Sequence, residues 1–378
     1  KMETSAIEHR SVLIIGAGPA GSAAAQRLAE DGIDVLVIEK RQIIGNPAQC
    51  GECVPEWGEV IGAFPKAASE EWLRDYFIFP ERIKLHPLKW MRIYSPSGKA
   101  WEMPLDAFAA HRLQFDGLLA DRAMNAGAEI RVNTALTNII TNRKDGKDLY
   151  VTKNGKITAD VIIDASGSLA HVARLRGGHQ GEDQVPTIYA QVSGKIPESF
   201  DIFLGAIAPM GYAWIIPKGE GFANVGIGVK AGAMKGVLKE HLKKLCDQLN
   251  LTIHSWGGGW IPMGGAVKSL VKDNVLAVGD AGGLVMPSNG GGISQAIMSG
   301  FYAGETIIQH FNNGMELQNY HHRTMNVMKK SLKTSLRTKK IAYLILRWNW
   351  SAELAMRFLG PIGGIKRAVE CKKSIWII

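Results

Sequence analysis

The chain has 378 residues, of which 46% are hydrophobic and 21% are charged. This length and balance exclude a disordered protein and predict one large domain or two closely joined ones. Four cysteines argue against a secreted disulfide framework, and no apolar run reaches the roughly 18 residues of a membrane-spanning helix, so we expect a cytoplasmic protein. The net charge of +9 is uneven, because residues 321–378 carry 13 Lys and Arg against two acids.

A strand, a glycine turn, a helix and a second strand are predicted by residues 11–40, SVLIIGAGPAGSAAAQRLAEDGIDVLVIEK. Gly16, Gly18 and Gly21 have the spacing of the dinucleotide-binding fingerprint, which allows a tight turn, approach of a pyrophosphate to the backbone, and close helix–strand packing. Glu39 ends the second strand, where a carboxylate can accept ribose hydroxyls. The segment predicts a site for NAD or FAD; the alternative is a purely structural turn.

The following elements are predicted from proline spacing and apolar periodicity. Residues 72–105 alternate apolar and polar side chains between prolines, which favours antiparallel strands. A helix of about 18 residues is predicted from His111 onward. Residues 185–275 again favour antiparallel sheet, with one helix near residues 235–249, and helices are expected from Tyr320 onward.

A second glycine-rich segment, LAVGDAGGLVMPSNGGGISQAIMSG, continues a buried strand and opens a long helix. Asp280 ends that strand, and the turn after it offers a second set of backbone N–H groups to a cofactor. This arrangement favours FAD over NAD. The alternative for Asp280 is a plain helix cap.

Five segments together resemble flavoproteins of the p-hydroxybenzoate hydroxylase type and, more narrowly, the geranylgeranyl reductases, especially the archaeal digeranylgeranylglycerophospholipid reductases. They are GAGPAGSAAA, EKRQIIGNPAQCGE, HRLQFDGLLADRAMNAGAEI, APMGYAWIIPKGEGFANVGIGV and VGDAGGLVMPSNGGGISQAIMSG. The resemblance implies a mixed α/β fold: a Rossmann-like FAD-binding domain of the p-hydroxybenzoate hydroxylase type, an inserted antiparallel-sheet substrate domain and a helical C-terminal tail. The expected domains are FAD-binding (1–75, 106–180 and 270–315), substrate (76–105 and 181–269) and a basic helical segment (316–378).

The resemblance implies that the adenosine half of FAD lies at the first βαβ unit. The three fingerprint glycines would hold the pyrophosphate, and Glu39 with Lys40 would lie at the ribose. Ala135 would lie near the adenine. The DASG turn, residues 164–167, would pack near the cofactor or serve the fold alone.

The flavin half is implied to contact three other places in the chain. Arg112 would reach the phosphates or the ribityl chain, and Asp280 would bind ribityl or phosphate oxygens. Gly291, Gly292 and Ile293 would present backbone N–H groups to the pyrimidine edge of the flavin, where negative charge builds up on reduction.

The segment PMGYAWIIPKGEG resembles the substrate signature of the geranylgeranyl reductases. Tyr212 and Trp214 are two residues apart, so on a strand both rings face one side. The implied substrate residues are Pro209, Gly211, Tyr212, Trp214 and Pro217. Such an apolar wall suits a prenyl chain, which binds through burial; aromatic core packing is the alternative. Flavin halogenases carry a W-x-W-x-I-P stretch from which YAWIIP departs by one residue.

The resemblance also implies a reaction, in which reduced flavin delivers a hydride to one carbon of a prenyl C=C bond and a proton reaches the other. The implied catalytic residues are Cys50, Tyr212 and Trp214, with Cys50 and Gly51 of the CGE segment beside the flavin. The substrate would be a prenylated lipid, and the electron donor a ferredoxin, NADPH or a deazaflavin.

Two other functions stay open. An aromatic monooxygenase or halogenase would use NADH and O₂, and halogenation would need a catalytic lysine that the sequence does not identify. An electron-transfer flavoprotein acting on membrane quinone would need an iron–sulfur motif, which four scattered cysteines do not provide.

The C-x-x-C pair of Cys50 and Cys53 suggests zinc or a redox disulfide. Zinc would need further ligands, and Cys246 and Cys371 are isolated in the sequence. A thioredoxin-like disulfide would need that fold. The family pattern covers Cys50 but not Cys53, which we expect to pack nearby or to pair with Cys50 under oxidation.

The basic C-terminal segment mixes cationic residues with Trp348, Trp350 and Phe358. Amphipathic helices of this composition bind anionic membrane surfaces. The alternative is a solvated helical face that covers the core. A lipid substrate favours peripheral membrane contact on the cytoplasmic side, whereas the absence of a recognition motif argues against nucleic-acid binding.

Overall fold

A computed structural model describes residues 7–141, 147–178, 183–361 and 363–369; Cys371 lies outside them. The strands are β1 (Glu8–Ile15), β2 (Val35–Ile38), β3 (Cys53–Pro55), β4 (Lys84–Tyr94), β5 (Ala100–Ala110), β6 (Glu129–Arg131), β7 (Leu136–Ile140), β8 (Leu149–Thr152), β9 (Gly155–Asp164), β10 (Gln184–Ser193), β11 (Phe200–Phe203), β12 (Gly211–Gly219), β13 (Phe222–Val229), β14 (Thr252–Pro262), β15 (Val271–Lys272) and β16 (Val275–Ala277). The helices are α1 (Pro19–Glu30), α2 (Trp57–Ala63), α3 (Glu71–Asp75), α4 (Arg112–Asn125), α5 (His171–Leu175), α6 (Leu238–Gln248), α7 (Ile293–Asn313), α8 (Asn319–Ile345), α9 (Asn349–Leu359) and α10 (Gly364–Val369).

The first sheet has the order β15-β16-β9-β1-β2-β6, and β8 and β7 extend it from β9. β1 is parallel to both β2 and β9, with Val12 opposite Val35 and Val161. These central strands are continuous apolar runs because helices or further layers cover both faces. α1 and α7 pack together in the core on one of these faces.

The second sheet has the order β14-β10-β13-β12-β11-β4-β5-β3 and is antiparallel except where β11 meets β4. Ala213 and Ile215 of β12 point to one face and pack with Leu242 of α6. Alternate residues Trp214 and Ile216 point to the other face. The sheet therefore has a core side and a side that carries aromatic rings.

The C-terminal helices pack against the rest of the chain through two apolar clusters. The buried residues Tyr320 and Met328 of α8 belong to the main core, and α9 and α10 add Met356 and Ile365 to an apolar cluster with Met91 of β4. α4 has 14 residues, fewer than expected, because it begins only after His111 and ends before a turn at positive φ. Within the described ranges, no helix combines the length and the hydropathy that a membrane-spanning segment needs.

The predicted fold class is confirmed, with a Rossmann-like unit, an antiparallel sheet inserted into it and a helical C-terminal region. The domain limits stay a prediction. β3 lies before residue 75, within the predicted FAD-binding segments, yet it pairs with β5 of the second sheet.

Candidate functional site

A cavity of about 1080 Å³ is lined by residues of both sheets and of α8, α9 and α10. All the predicted site residues line it except Gly21, Pro209 and Pro217. Those that do are Gly16, Gly18, Glu39, Lys40, Cys50, Gly51, Arg112, Ala135, Gly211, Tyr212, Trp214, Asp280, Gly291, Gly292 and Ile293. Segments far apart in the sequence thus meet at one site.

The glycine loop after β1 is shaped by close backbone approaches. A Cβ at Gly16, where φ is +110°, would lie 2.4 Å from the Ala165 carbonyl oxygen, and one at Gly21 would lie 1.9 Å from the Gly16 oxygen. Both positions therefore require glycine, and the role of Gly21 is packing. Gly18 differs, because nothing lies within 4 Å of its Cβ position, and it opens onto the cavity at the start of α1. This free space fits a pyrophosphate at a helix N-terminus.

Glu39 is buried at the end of β2 and braces the glycine loop. Its carboxylate accepts hydrogen bonds from the backbone N–H of Ala17 at 3.0 Å and of Arg41 at 2.9 Å. Lys40 is exposed, and Ala135 lies farther along the cavity wall. The carboxylate is thus fixed beside the loop, at the edge where a ribose would lie.

The second glycine-rich segment brings Asp280 against the start of α7. A Cβ at Gly292 would lie 3.1 Å from Asp280 Oδ1. Burial raises the pKa of Asp280, and the positive charge of Arg112 opposes that shift. α7 begins at Ile293, and no side chain caps its first backbone N–H groups. The residues that carry these groups line the cavity. The N–H of Gly291 donates to Asn289 Oδ1 at 2.9 Å.

Arg112 is held in the cavity wall by a buried carboxylate. Its Nε and one terminal nitrogen donate to the two oxygens of Asp116 at 2.9 and 2.8 Å. Burial lowers the pKa of Arg112, but Asp116 and Cys50 together outweigh burial and the net shift is upward. The Cys50 side chain also interacts electrostatically with this guanidinium. A fixed cation therefore lies between the CGE segment and Asp280.

Cys50 and Cys53 differ in surroundings although both are free thiols. Both line the cavity. The Cys50 sulfur accepts the Glu52 N–H at 3.1 Å. Burial, then the nearby Cys50, raises the pKa of the Cys53 thiol to about 12, which leaves it un-ionised at neutral pH. No group of three or more potential metal ligands occurs in the described part of the chain. Whether the pair oxidises stays a prediction.

The aromatic wall forms as expected from strand alternation. Tyr212 and Trp214 both line the cavity, with ring centroids 5.8 Å apart. β13 supplies a glycine opposite each ring, since Tyr212 pairs with Gly228 and Trp214 with Gly226. A Cβ at Gly226 would lie 2.1 Å from the Trp214 ring, so only glycine leaves room for the ring. The sequence alone did not predict this requirement.

Pro209 and Pro217 are not part of the cavity wall, contrary to the expectation. Pro217 is buried and alternates onto the opposite face of β12 with Ala213 and Ile215. Pro209 lies in the turn before β12. The two prolines therefore lie on either side of Tyr212 and Trp214 in the sequence, but they do not line the cavity with these rings.

A buried polar network joins the CGE segment to β12, and sequence reasoning missed it. Glu52 is 1% exposed, with φ of +71°, and accepts hydrogen bonds from Lys218, Gln191 and Asn224. Burial alone would raise its pKa, but these partners outweigh it and the net shift is downward. Asn224 also donates to the Cys50 carbonyl and accepts from Trp214 Nε1 at 2.9 Å.

Lys339 of α8 is a second residue that the sequence did not single out. It lines the cavity and is 4% exposed, although it belongs to the basic segment that was expected to be solvated or membrane-facing. Its ammonium donates to Asp183 Oδ2 at 2.7 Å and to the Met263 carbonyl. The sequence could not predict that Lys339 is buried, because it lies among similar lysines and only the fold distinguishes it from its exposed neighbours.

The end of the cavity beyond the aromatic wall is apolar. The side chains that line it come from β4, β5 and β11 on one side and from the C-terminal helices on the other. They include Met91, Ile93, Met103, Phe200, Ile202, Leu204, Ile345, Leu346, Met356, Leu359 and Ile365. An aliphatic chain could be buried here without any hydrogen bond.

Known protein families and relatives match this chain over most of its length. The model of the geranylgeranyl reductase catalytic domain matches residues 187–258, and that of the pyridine nucleotide-disulphide oxidoreductases matches residues 10–192. A digeranylgeranylglycerophospholipid reductase of Methanosarcina acetivorans is 34% identical over 323 residues, which cover 80% of this chain and 76% of that protein.

Solved structures share the fold. A geranylgeranyl bacteriochlorophyll reductase-like protein of Thermoplasma acidophilum aligns with a TM-score of 0.80 at 24% identity, over 97% of this chain and 100% of that one. A halogenase solved in complex with FAD aligns with a TM-score of 0.73 at 14% identity, over 96% and 81%.

Fold, cavity and family matches together define a flavin-dependent oxidoreductase. More narrowly, the chain belongs to the geranylgeranyl reductase family. The resemblance inferred from the five sequence segments is thereby confirmed.

Proposed function

We propose that this protein saturates C=C bonds in the geranylgeranyl chains of isoprenoid membrane lipids, with FAD as its cofactor. One observation carries the proposal: a single cavity runs from the glycine loop, past the Tyr212–Trp214 wall, to an apolar end. A cofactor and a long aliphatic chain could therefore meet at the aromatic wall. Family membership and the reductases among the relatives support the same reaction.

For the cofactor, the proposed adenosine contacts follow the order of the cavity wall. Gly16 and Gly18 would hold the pyrophosphate, Glu39 and Lys40 the ribose, and Ala135 the adenine. The open space at Gly18 and the fixed Glu39 carboxylate support this assignment.

The flavin would lie between the CGE segment and the start of α7. Arg112 and Asp280 are proposed to contact its phosphate or ribityl oxygens, and backbone N–H groups at 291–293 its pyrimidine edge. When bound and reduced, the flavin supplies the hydride for the reaction. The remaining requirements, orientation of the double bond and exclusion of water, belong to the chain's own residues.

For the substrate, Tyr212 and Trp214 are proposed to hold the double bond and Cys50 to contact it or the flavin. The Tyr212 hydroxyl donates to the Asn289 carbonyl in the loop before α7, which ties the aromatic wall to the proposed pyrimidine site. Trp214 is tied through Asn224 to the Cys50 carbonyl. A wall of two fixed rings would align an unactivated alkene, for which orientation matters most.

The electron donor and the membrane contact are further parts of the proposal. A ferredoxin, NADPH or a deazaflavin would reduce the cofactor, and the basic C-terminal helices would contact the membrane that holds the lipid. Both stay open to experiment: reduction of the bound flavin by each donor in turn, under anaerobic conditions, would identify the donor by rate.

The test of the proposed reaction is anaerobic. The bound flavin is reduced chemically, digeranylgeranyl lipid is added, and the product mass is followed. We expect gains in steps of two hydrogens; no gain with any prenyl lipid would refute the proposal. A parallel assay with NADH, O₂, halide and an aromatic substrate tests the halogenase alternative. Lys339 is the lysine to replace there, because it is buried in the cavity wall, whereas Lys40 is exposed and is proposed to lie at the ribose.

A further inference from the structure

The two faces of α9 are both apolar. Ala352 and Met356 are buried, and Met356 lines the cavity. On the opposite side Trp350, Leu354 and Phe358, spaced four residues apart, are 68%, 50% and 70% exposed. An ordinary surface helix is polar on its outer face. α9 therefore separates the apolar end of the cavity from a second apolar surface that faces outward.

The exposed apolar surface continues onto the end of α8. Ile341 and Leu344 are exposed one turn apart, and Trp348, in the connection, stacks on Trp350 with centroids 6.2 Å apart. We call these side chains the α8–α9 corner: Ile341, Leu344, Trp348, Trp350, Leu354 and Phe358. Ile341 also lines the cavity, so the corner reaches the cavity mouth.

The charges around the corner are those that an anionic lipid surface would attract. Arg337, Lys340 and Arg347 are exposed on the same stretch of chain, and the Arg347 guanidinium lies 5.0 Å from the centroid of the Trp348 ring. Glu353, the acid that α9 carries, already binds Arg357 and the Ser97 hydroxyl, each at 2.8 Å. Aromatic and aliphatic side chains flanked by bases are the composition of interfacial helices.

We propose that the α8–α9 corner docks on an anionic bilayer surface and that prenyl chains enter the cavity there, between α8 and α9. The corner inserts its apolar side chains among the lipid acyl chains, while the three bases lie at the phosphate level. The chain then passes from the bilayer to the apolar end of the cavity without crossing water. The entry route rests on the proposed reaction; docking assigns the proposed membrane contact to this corner and does not depend on the reaction.

Docking is tested by sedimentation of the flavin-loaded protein with vesicles, without any prenyl substrate. We expect binding to mixed phosphatidylglycerol–phosphatidylcholine vesicles and weaker binding to phosphatidylcholine alone or at high salt. Replacement of Trp350, Leu354 and Phe358 by Ser should lower the partition coefficient at least about tenfold. The matched control replaces Trp72, Ile78 and Phe222 by Ser, which are 67%, 58% and 48% exposed elsewhere on the surface.

Retained flavin absorbance and an unchanged melting temperature show that the corner variant is folded. Equal vesicle binding by the corner variant and the wild type, or no binding by the wild type, would overturn the docking proposal. For the entry route, the corner variant should lose activity on lipid in vesicles but keep it on detergent-dispersed lipid. Equal loss in both would overturn the entry route, whereas inactivity of the wild type in detergent would contradict the proposed function instead.

Discussion

The Lys218 ammonium lies 2.7 Å from the Glu52 carboxylate, and both side chains are almost completely removed from solvent. The pair joins β12, which carries the aromatic wall, to the segment that carries Cys50. Gln191 and Asn224 donate to the same carboxylate oxygen as Lys218, and the backbone N–H of Arg112 donates to the other oxygen at 3.2 Å. A paired and hydrogen-bonded charge of this kind fixes two elements relative to each other at the point where cofactor and substrate are proposed to meet.

Breaking this pair should be costly. We expect Glu52→Gln or Lys218→Met to lower the free energy of unfolding by about 3–5 kcal/mol, because each leaves a buried polar group without its partner. The double variant should lower the free energy of unfolding by clearly less than the sum of the two single variants. Denaturant unfolding in a double-mutant cycle measures this coupling. The exposed pair Lys243–Asp247 is the control and should couple by less than about 1 kcal/mol; strictly additive effects at Glu52 and Lys218 would contradict the prediction.

The same carboxylate predicts a pH dependence. Its pKa in the folded protein lies below the ordinary value of 4.5, so its contribution to stability is present above about pH 4.5 and is lost as the pH falls through the lower folded value. The stability difference between the wild type and Glu52→Gln should therefore be largest at neutral pH and shrink below 4.5. Unfolding curves across that range test this; a difference that grows on acidification would show that the sign is wrong.

Gly226 should be required for the aromatic wall. A methyl group there would overlap the Trp214 ring, so Gly226→Ala should displace the ring and lower kcat/KM on the order of tenfold while flavin stays bound. Gly117→Ala in α4, where nothing lies within 4 Å of the Cβ position, is the matched control and should keep full activity. Equal activity of the two variants would argue against a role for the Trp214 position.

Gly18 should report on the cofactor. Its φ of −74° suits any residue and its Cβ position is open, so Gly18→Ala and Gly18→Val should both fold. The added groups occupy the space proposed for the pyrophosphate, so flavin affinity should fall with side-chain size, by roughly tenfold or more for Val. Titration of the apoprotein with FAD, followed by fluorescence, measures this; unchanged affinity of the Val variant would remove Gly18 from the cofactor site.

Cys50 and Cys53 should behave differently on replacement. Both line the cavity, but the Cys50 side chain interacts with Arg112, so Cys50→Ala should keep FAD bound but reduce turnover. Cys53→Ala, the neighbouring control, should leave turnover nearly unchanged, apart from a small packing cost. Steady-state kinetics on prenyl lipid distinguish them, and unchanged turnover in Cys50→Ala would take that thiol out of the mechanism.

The local features of the site could be predicted from the sequence because they depend on near neighbours. The glycine loop, Glu39 at a strand end and the shared face of Tyr212 and Trp214 follow from spacing along one or two elements. The geranylgeranyl reductase resemblance extended this to Asp280 and to the position of Cys50 in the cavity wall.

The features that the sequence could not predict depend on pairs of distant residues. Glu52 and Lys218 are 166 positions apart, and Gly226 needs to be glycine only because Trp214 lies across from it in a neighbouring strand. Lys339 lies among similar basic residues, and what sets it apart is an ion pair with Asp183, which is 156 positions away in the sequence. Pro217 was misplaced because proline rigidity does not say which face of a strand it occupies.

The central claim is that a prenyl lipid accepts electrons from the reduced flavin of this protein. Its most direct test is an anaerobic titration of the reduced, FAD-loaded enzyme with digeranylgeranyl lipid, followed by flavin absorbance. We expect reoxidation with one double bond saturated for each flavin reoxidised. A flavin that stays reduced in the presence of the lipid, but is reoxidised on admission of O₂, would contradict the account.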